Sequence, residues 1–240
     1  MKTNVKTRRG FTLVELLVVI VIIASLAGLT APMVIRQRKK ADQTEATSNA
    51  RQIGLAMFEF ETEYARFPDD TSGAEVASNT GSTLLMGPGP SNNYFRQLIG
   101  AGFTQSEQMF FAKVPGSRKP DGNITGAGAL AAREVGFGYI TLGTVGLSTA
   151  GNPARPYVVT PLLGTTGDSF DAAPFDGKAV VLRIDNSVSS LQINTTSNRA
   201  ILSPASTGTV ARTLLDPGAE TVWGASTGMT IRFPNLAAAP

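Results

Sequence analysis

The chain has 240 residues and a mass of 25.1 kDa, with 21 Lys and Arg against 18 Asp and Glu, a formal charge of +3. It contains neither His nor Cys, which excludes disulfides, thiolate nucleophiles, Cys-ligated metal sites, Ser-His-Asp triads and imidazole bases. The length suits one domain with one additional element.

The first ten residues carry Lys2, Lys6, Arg8 and Arg9 and no acid. From Phe11 to Ile35 the only charge is Glu15, and the uncharged run Leu16–Ile35 is as long as the ~20 residues a helix needs to cross a bilayer. A secretory signal peptide has an apolar core of only ~7–15 residues, and no small-residue cleavage site follows this run. A plain membrane anchor accounts for the length but not for Glu15, because an intramembrane carboxylate is costly unless paired. Cleavage after Gly10 would place a free amine on Phe11, a natural partner for Glu15 of a neighbouring copy, since each charge is expensive alone in an apolar medium. Within one helix the amine points along the axis and the carboxylate sideways, so the pair is not readily made there.

The segment RRGFTLVELLVVIVIIASLAGLTAPMVI, residues 8–35, resembles the N-terminus of type IV pilins and type II secretion pseudopilins. Gly10 stands before the expected cut, Phe11 at the new N-terminus, Glu15 fifth and Pro32 twenty-second. The resemblance implies cleavage between Gly10 and Phe11 by a prepilin peptidase and N-methylation of Phe11. It further implies an inner-membrane anchor with the globular part outside, and extraction into a helical filament by an assembly ATPase and its membrane platform. Glu15 would help to set register in that filament, and Pro32 would give the helix a place to bend. Four basic residues before the run and Arg36, Arg38, Lys39 and Lys40 after it leave orientation undecided by charge alone. Without residues 1–10 the chain has 17 basic against 18 acidic residues, a charge of −1, so its basic character gives no support for nucleic-acid binding.

Beyond the run, Ala46, Ala50, Ile53, Met57, Phe60 and Tyr64 follow helical spacing and predict a stripe that packs on a sheet. Phe67-Pro68 should end this helix, giving roughly 80 Å over residues 12–66 at 1.5 Å per residue. Residues 69–93, rich in Gly, Ser, Thr, Asn and Pro, read as an exposed loop. Short helices are expected at 94–99 and 105–111, a loop at 115–128, and strands at 135–142, 156–163, 178–184, 188–193 and 229–233, with 178–193 the clearest hairpin. The expected class is α+β, a long N-terminal helix packed by its C-terminal half on a small antiparallel sheet. The expected divisions are a leader (1–10), a membrane and polymerisation helix (11–35), the packing half of the helix (36–68) and a globular domain (69–240).

Asp168, Asp171 and Asp176 share a Gly-rich loop. They are a candidate calcium site, because calcium favours carboxylates on flexible loops and major pseudopilins often hold calcium near the C-terminus. A solvated acidic turn is the alternative, and no EF-hand or phosphate-loop motif is present. Two functional classes compete: a filament subunit, and a minor pilin whose globular tip binds DNA, glycan or a secreted substrate. A membrane-anchored enzyme would leave Gly10, Phe11, Glu15 and Pro32 unexplained.

Overall fold

The structure, a computed structural model, describes residues 11–203, 212–216, 221–224 and 228–236. Helix α1 spans Leu13–Tyr64, and the chain divides into two compact units, one up to Arg38 and one from Lys39 onward. In the first unit the backbone stays helical through Pro32.

Among the described residues the second unit holds helices α2 (Ser72–Thr80) and α3 (Ser91–Gly100) and seven strands. The strands are β1 (Gly138–Leu142), β2 (Pro156–Thr160), β3 (Lys178–Arg183), β4 (Val188–Asn194), β5 (Arg199–Ser203), β6 (Arg212–Thr213) and β7 (Met229–Arg232). They form one antiparallel sheet in the order β6-β5-β4-β3-β2-β1-β7. Strands β1 to β6 follow one another as a meander, and β7 returns to pair with β1, Ile140 opposite Ile231. The class is α+β, as the sequence implies. The 178–193 hairpin forms with Leu182 opposite Val188. Asn186 takes the left-handed conformation in its turn (φ 61°), which Asn tolerates better than most residues.

The helical stripe read from spacing is the buried face of α1: Ala46, Ala50, Ile53, Met57, Phe60 and Tyr64 are all at most 6% exposed. Phe60 stacks on Tyr64 at 4.5 Å between ring centroids, and Phe67 stacks on Tyr157 of β2 at 4.9 Å. Polar contacts fix the helix's position. Asn49 Nδ2 donates to the carbonyls of Gln108 (3.1 Å) and Phe111 (2.9 Å), and Gln43 Nε2 donates to Ser190 Oγ on β4 (2.6 Å). The helix stops at Tyr64, before the expected Phe67-Pro68, because Ala65 turns left-handed (φ 60°).

The exposed loop expected over 69–93 is instead partly helical and partly buried. Asp69 organises this correction. Its Oδ1 accepts the N–H groups of Thr71 (2.8 Å) and Ser72 (2.7 Å) at the start of α2, and its Oδ2 accepts Arg66 Nε (2.8 Å). Gln97 of α3 completes the junction, donating to the carbonyls of Asp69 (2.8 Å) and Met86 (3.0 Å) and accepting from Ser72 Oγ (2.6 Å). Val76 is fully buried, and Gly81 (φ 70°) ends α2 in the left-handed conformation that favours glycine. Strand β6, two residues long, is too short to stand out in the sequence, and β5 (RAILS), as long as β1 and β2, carries a single β-branched residue, Ile201.

Gly136, just before β1, has backbone on both sides: its N–H bonds the Phe110 carbonyl (3.0 Å), and its carbonyl accepts Thr160 Oγ1 (2.7 Å). A Cβ there would lie 2.4 Å from the oxygen and 2.6 Å from the nitrogen of Ala112, rigid atoms that cannot swing away. Gly136→Ala is therefore expected to destabilise the fold by about 2 kcal/mol or more. That loss lowers Tm by roughly 5 °C or more in thermal unfolding; an unchanged or higher Tm would contradict this packing.

Candidate functional site

The large apolar side chains along this stretch, such as Leu13 (81%), Leu16 (58%), Ile22 (52%) and Val19 (45%), stand exposed. A helix apolar on all faces with no protein against it requires lipid or other protein around it. The helix is long and apolar enough to cross a membrane.

Its first turn is closed by a reciprocal cap. Thr12 donates from N (2.9 Å) and from Oγ1 (2.7 Å) to Glu15 Oε2, and Glu15 N donates to Thr12 Oγ1 (3.3 Å). This is a capping box, T-x-x-E, which satisfies helix N–H groups that neither lipid nor apolar side chains can serve. Glu15 is thus the only charge of the run but not without a partner, and the T-x-x-E spacing of Thr12 and Glu15 is the signature of that partner in the sequence. The cap uses one carboxylate oxygen. Glu15 Oε1 receives no hydrogen bond among the described residues and remains open to a cation from outside the chain. Farther along, Ser25 Oγ and Thr30 Oγ1 return to the carbonyls of Val21 (2.8 Å) and Leu26 (3.1 Å), so these hydroxyls are also satisfied within the helix. Of the expected processing and assembly residues, Gly10 lies outside the described residues, Phe11 and Glu15 flank Thr12, and Pro32 lies two turns before the end of the first unit.

The calcium candidates do not converge. Asp168 pairs with Arg199 (3.1 Å), Asp171 Oδ1 accepts the Ala173 N–H (2.9 Å), and Asp176 sits in a left-handed turn before β3 (φ 53°). Among the described residues, the acidic groups whose oxygens come together, within 4.8 Å, are Glu107, Asp121 and Glu134. Glu107 and Glu134 are buried; Glu107 accepts the N–H groups of Leu130 and Gly122, and Glu134 Oε2 accepts that of Ala131 (2.7 Å). Arg118 lies 2.9 Å from Glu134 Oε1, while the buried Arg96 anchors itself on the carbonyls of Ala129 (2.7 Å) and Leu130 (3.0 Å) beside them. Burial, with the nearby Glu134 and Asp121 charges, pushes the Glu107 carboxyl up, against the pull of N–H bonds from Leu130 and Gly122. We read this network as the clasp of the 104–134 loop. Sequence pattern gave no sign of it, because its members are distant in the chain and each is ordinary alone.

Residues 5–31 match the family model described as the prokaryotic N-terminal methylation motif. The chain is 34% identical over 93 residues to the type II secretion system core protein G of Pectobacterium carotovorum subsp. carotovorum, covering 38% of this chain and 59% of that protein. It is 37% identical over 68 residues to the protein of the same name from Escherichia coli (strain K12), covering 28% and 47%. It is 38% identical over 61 residues to the type IV major pilin protein PilA of Myxococcus xanthus (strain DK1622), covering 25% and 28%. The chain thus spans less than two thirds of the length of each of these relatives. No solved structure matches. Over its methylation motif and the region it shares with these proteins, the chain is similar to type IV pilins and type II secretion pseudopilins.

Proposed function

We propose that this protein is a structural subunit of a type II secretion pseudopilus or type IV pilus-like filament. A prepilin peptidase cuts it between Gly10 and Phe11 and N-methylates Phe11. Residues 16–35 then hold it in the inner membrane as a single span with the globular unit on the far side. An ATPase-driven membrane platform transfers it into the filament, where the same helices pack on one another. The observation that carries this reading is the run of exposed apolar side chains on a helix whose start is capped. Relatives named core protein G favour the secretion form.

The energetics explain why one charge matters so much. A buried large apolar side chain is worth roughly 1.5–3 kcal/mol relative to water. Both lipid and a bundle of neighbouring helices supply that burial, so the apolar term nearly cancels on transfer from membrane to filament. Polar terms then decide the transfer. The open oxygen of Glu15 and the Phe11 amine of a neighbouring subunit form the charge pair that the filament offers and the lipid does not.

Because the chain has no Cys, cross-linking is clean. A variant with Leu16→Cys and Leu26→Cys, expressed where the filament assembles, is expected to give an oxidant-dependent ladder of multimers. Only monomer and random dimer, at the level seen without the assembly ATPase, would contradict assembly through this helix.

A further inference from the structure

We propose that Arg36, Arg38, Lys39 and Lys40 form a docking strip for the phosphates of anionic phospholipids at the membrane surface. The inference rests on the reading of residues 16–35 as a bilayer span. That run of twenty uncharged residues measures ~30 Å as a helix, the thickness of the hydrocarbon layer, so α1 leaves the lipid at residue 36. Four cations then occur within five positions, and no acid lies between Glu15 and Asp42.

None of the four side chains has a hydrogen-bond or ion-pair partner among the described residues, and Arg36, Arg38 and Lys40 are exposed. Asp42, the nearest acid in the chain, is taken by Lys113 at 3.1 Å. In the sequence, Arg36 stands three and four positions before Lys39 and Lys40, a helical spacing at which like charges repel unless an anion screens them. An ordinary solvated face intersperses acids with its bases, as the exposed face farther along α1 does with Glu45, Arg51, Glu59 and Glu63. At this depth the dense anions are lipid phosphates, and long Lys and Arg stems reach them readily. A strip that grips anionic headgroups fixes the depth of the helix while the subunit waits, and its grip must be released on extraction.

The test uses the full chain reconstituted in vesicles of equal phosphatidylglycerol and phosphatidylethanolamine, with flotation followed by native mass spectrometry of the lipid retained in mild detergent. Wild type is expected to float and to retain phosphatidylglycerol over phosphatidylethanolamine by at least about threefold. The enrichment should fall in 1 M salt, where screening acts within about 3 Å. The variant Arg36→Gln, Arg38→Gln, Lys39→Gln, Lys40→Gln keeps good helix formers, should float equally well, and should retain the two lipids equally. Its leader cations are those of wild type, so the difference reports on residues 36–40 alone. Equal retention by wild type, or enrichment undiminished in a variant whose circular dichroism is unchanged, overturns the docking strip and leaves the anchor standing. A wild-type chain that does not float removes the anchor and the strip together.

Discussion

Glu15→Gln is expected to enter filaments as poorly as Glu15→Ala, at least about tenfold below wild type, while thermal unfolding of the globular unit stays unchanged. The two variants separate two roles that share one side chain. Gln at this position still closes a capping box on Thr12, whereas Ala does not. Neither can offer a charge to a neighbouring Phe11 amine. Leaving one member of a buried ion pair alone costs about 3–5 kcal/mol, more than enough for the expected drop. Loss of a cap alone costs only about 1 kcal/mol, so Thr12→Ala should assemble better than either Glu15 variant. Recovery by Glu15→Gln would show that the cap, and not the charge, is what assembly needs. Normal filaments from both variants would remove Glu15 from the mechanism. Unfolding should not respond, because Glu15 is fully exposed and far in sequence from every buried residue of the second unit.

Asp69→Ala should be the more damaging change for the fold. Asp69 is 3% exposed, and its two oxygens hold Arg66, two N–H groups of α2 and the Thr71 hydroxyl. Removing it leaves buried donors unanswered and frees the junction of α1, α2 and α3. A cost of about 3–4 kcal/mol follows, or a Tm lower by roughly 10 °C. Burial alone would raise its carboxyl, but N–H and hydroxyl bonds from Ser72 and Thr71 and the Arg66 charge outweigh this and hold it below the usual aspartate range. For an acid with a depressed folded-state pKa, the stabilisation is complete above the unfolded value and is lost as pH falls through the folded one. Wild-type stability should therefore stay level, as far as Asp69 is concerned, above about pH 5 and decline below about pH 4. The Asp69→Ala variant should lose less on acidification. A Tm within about 2 °C of wild type, or an acid response identical to it, would contradict this role.

How much of this was legible in the sequence depended on the distance over which each pattern is written. The stripe from Ala46 to Tyr64 was readable because helical spacing repeats locally, and the 178–193 hairpin because two β-rich runs flank Asp185-Asn186-Ser187. Helix α2 was not, because SGAEVASNT is built from small polar residues with one buried apolar side chain, Val76. Its order comes from Asp69 before it and Gln97 beyond it. In the sequence only Gly81 marks an end of this helix; the S-x-x-E spacing of Ser72 and Glu75 is not a capping box here, because Ser72 Oγ donates to Gln97 and Glu75 accepts from Arg66. The processing motif was legible as a resemblance, while the cap between Thr12 and Glu15 was written in the same residues and passed over. The acids of the 164–177 loop looked like a set only because they are close in sequence, and the fold gives each a separate partner or turn.

The central claim is that residues 1–10 are a leader and that the working protein begins at Phe11. The intact mass of the protein taken from its native membrane tests it most directly. The expected result is a chain of residues 11–240 carrying one added methyl group, placed on Phe11 by fragmentation. An uncut chain, or a new N-terminus anywhere else in the apolar run, would contradict it.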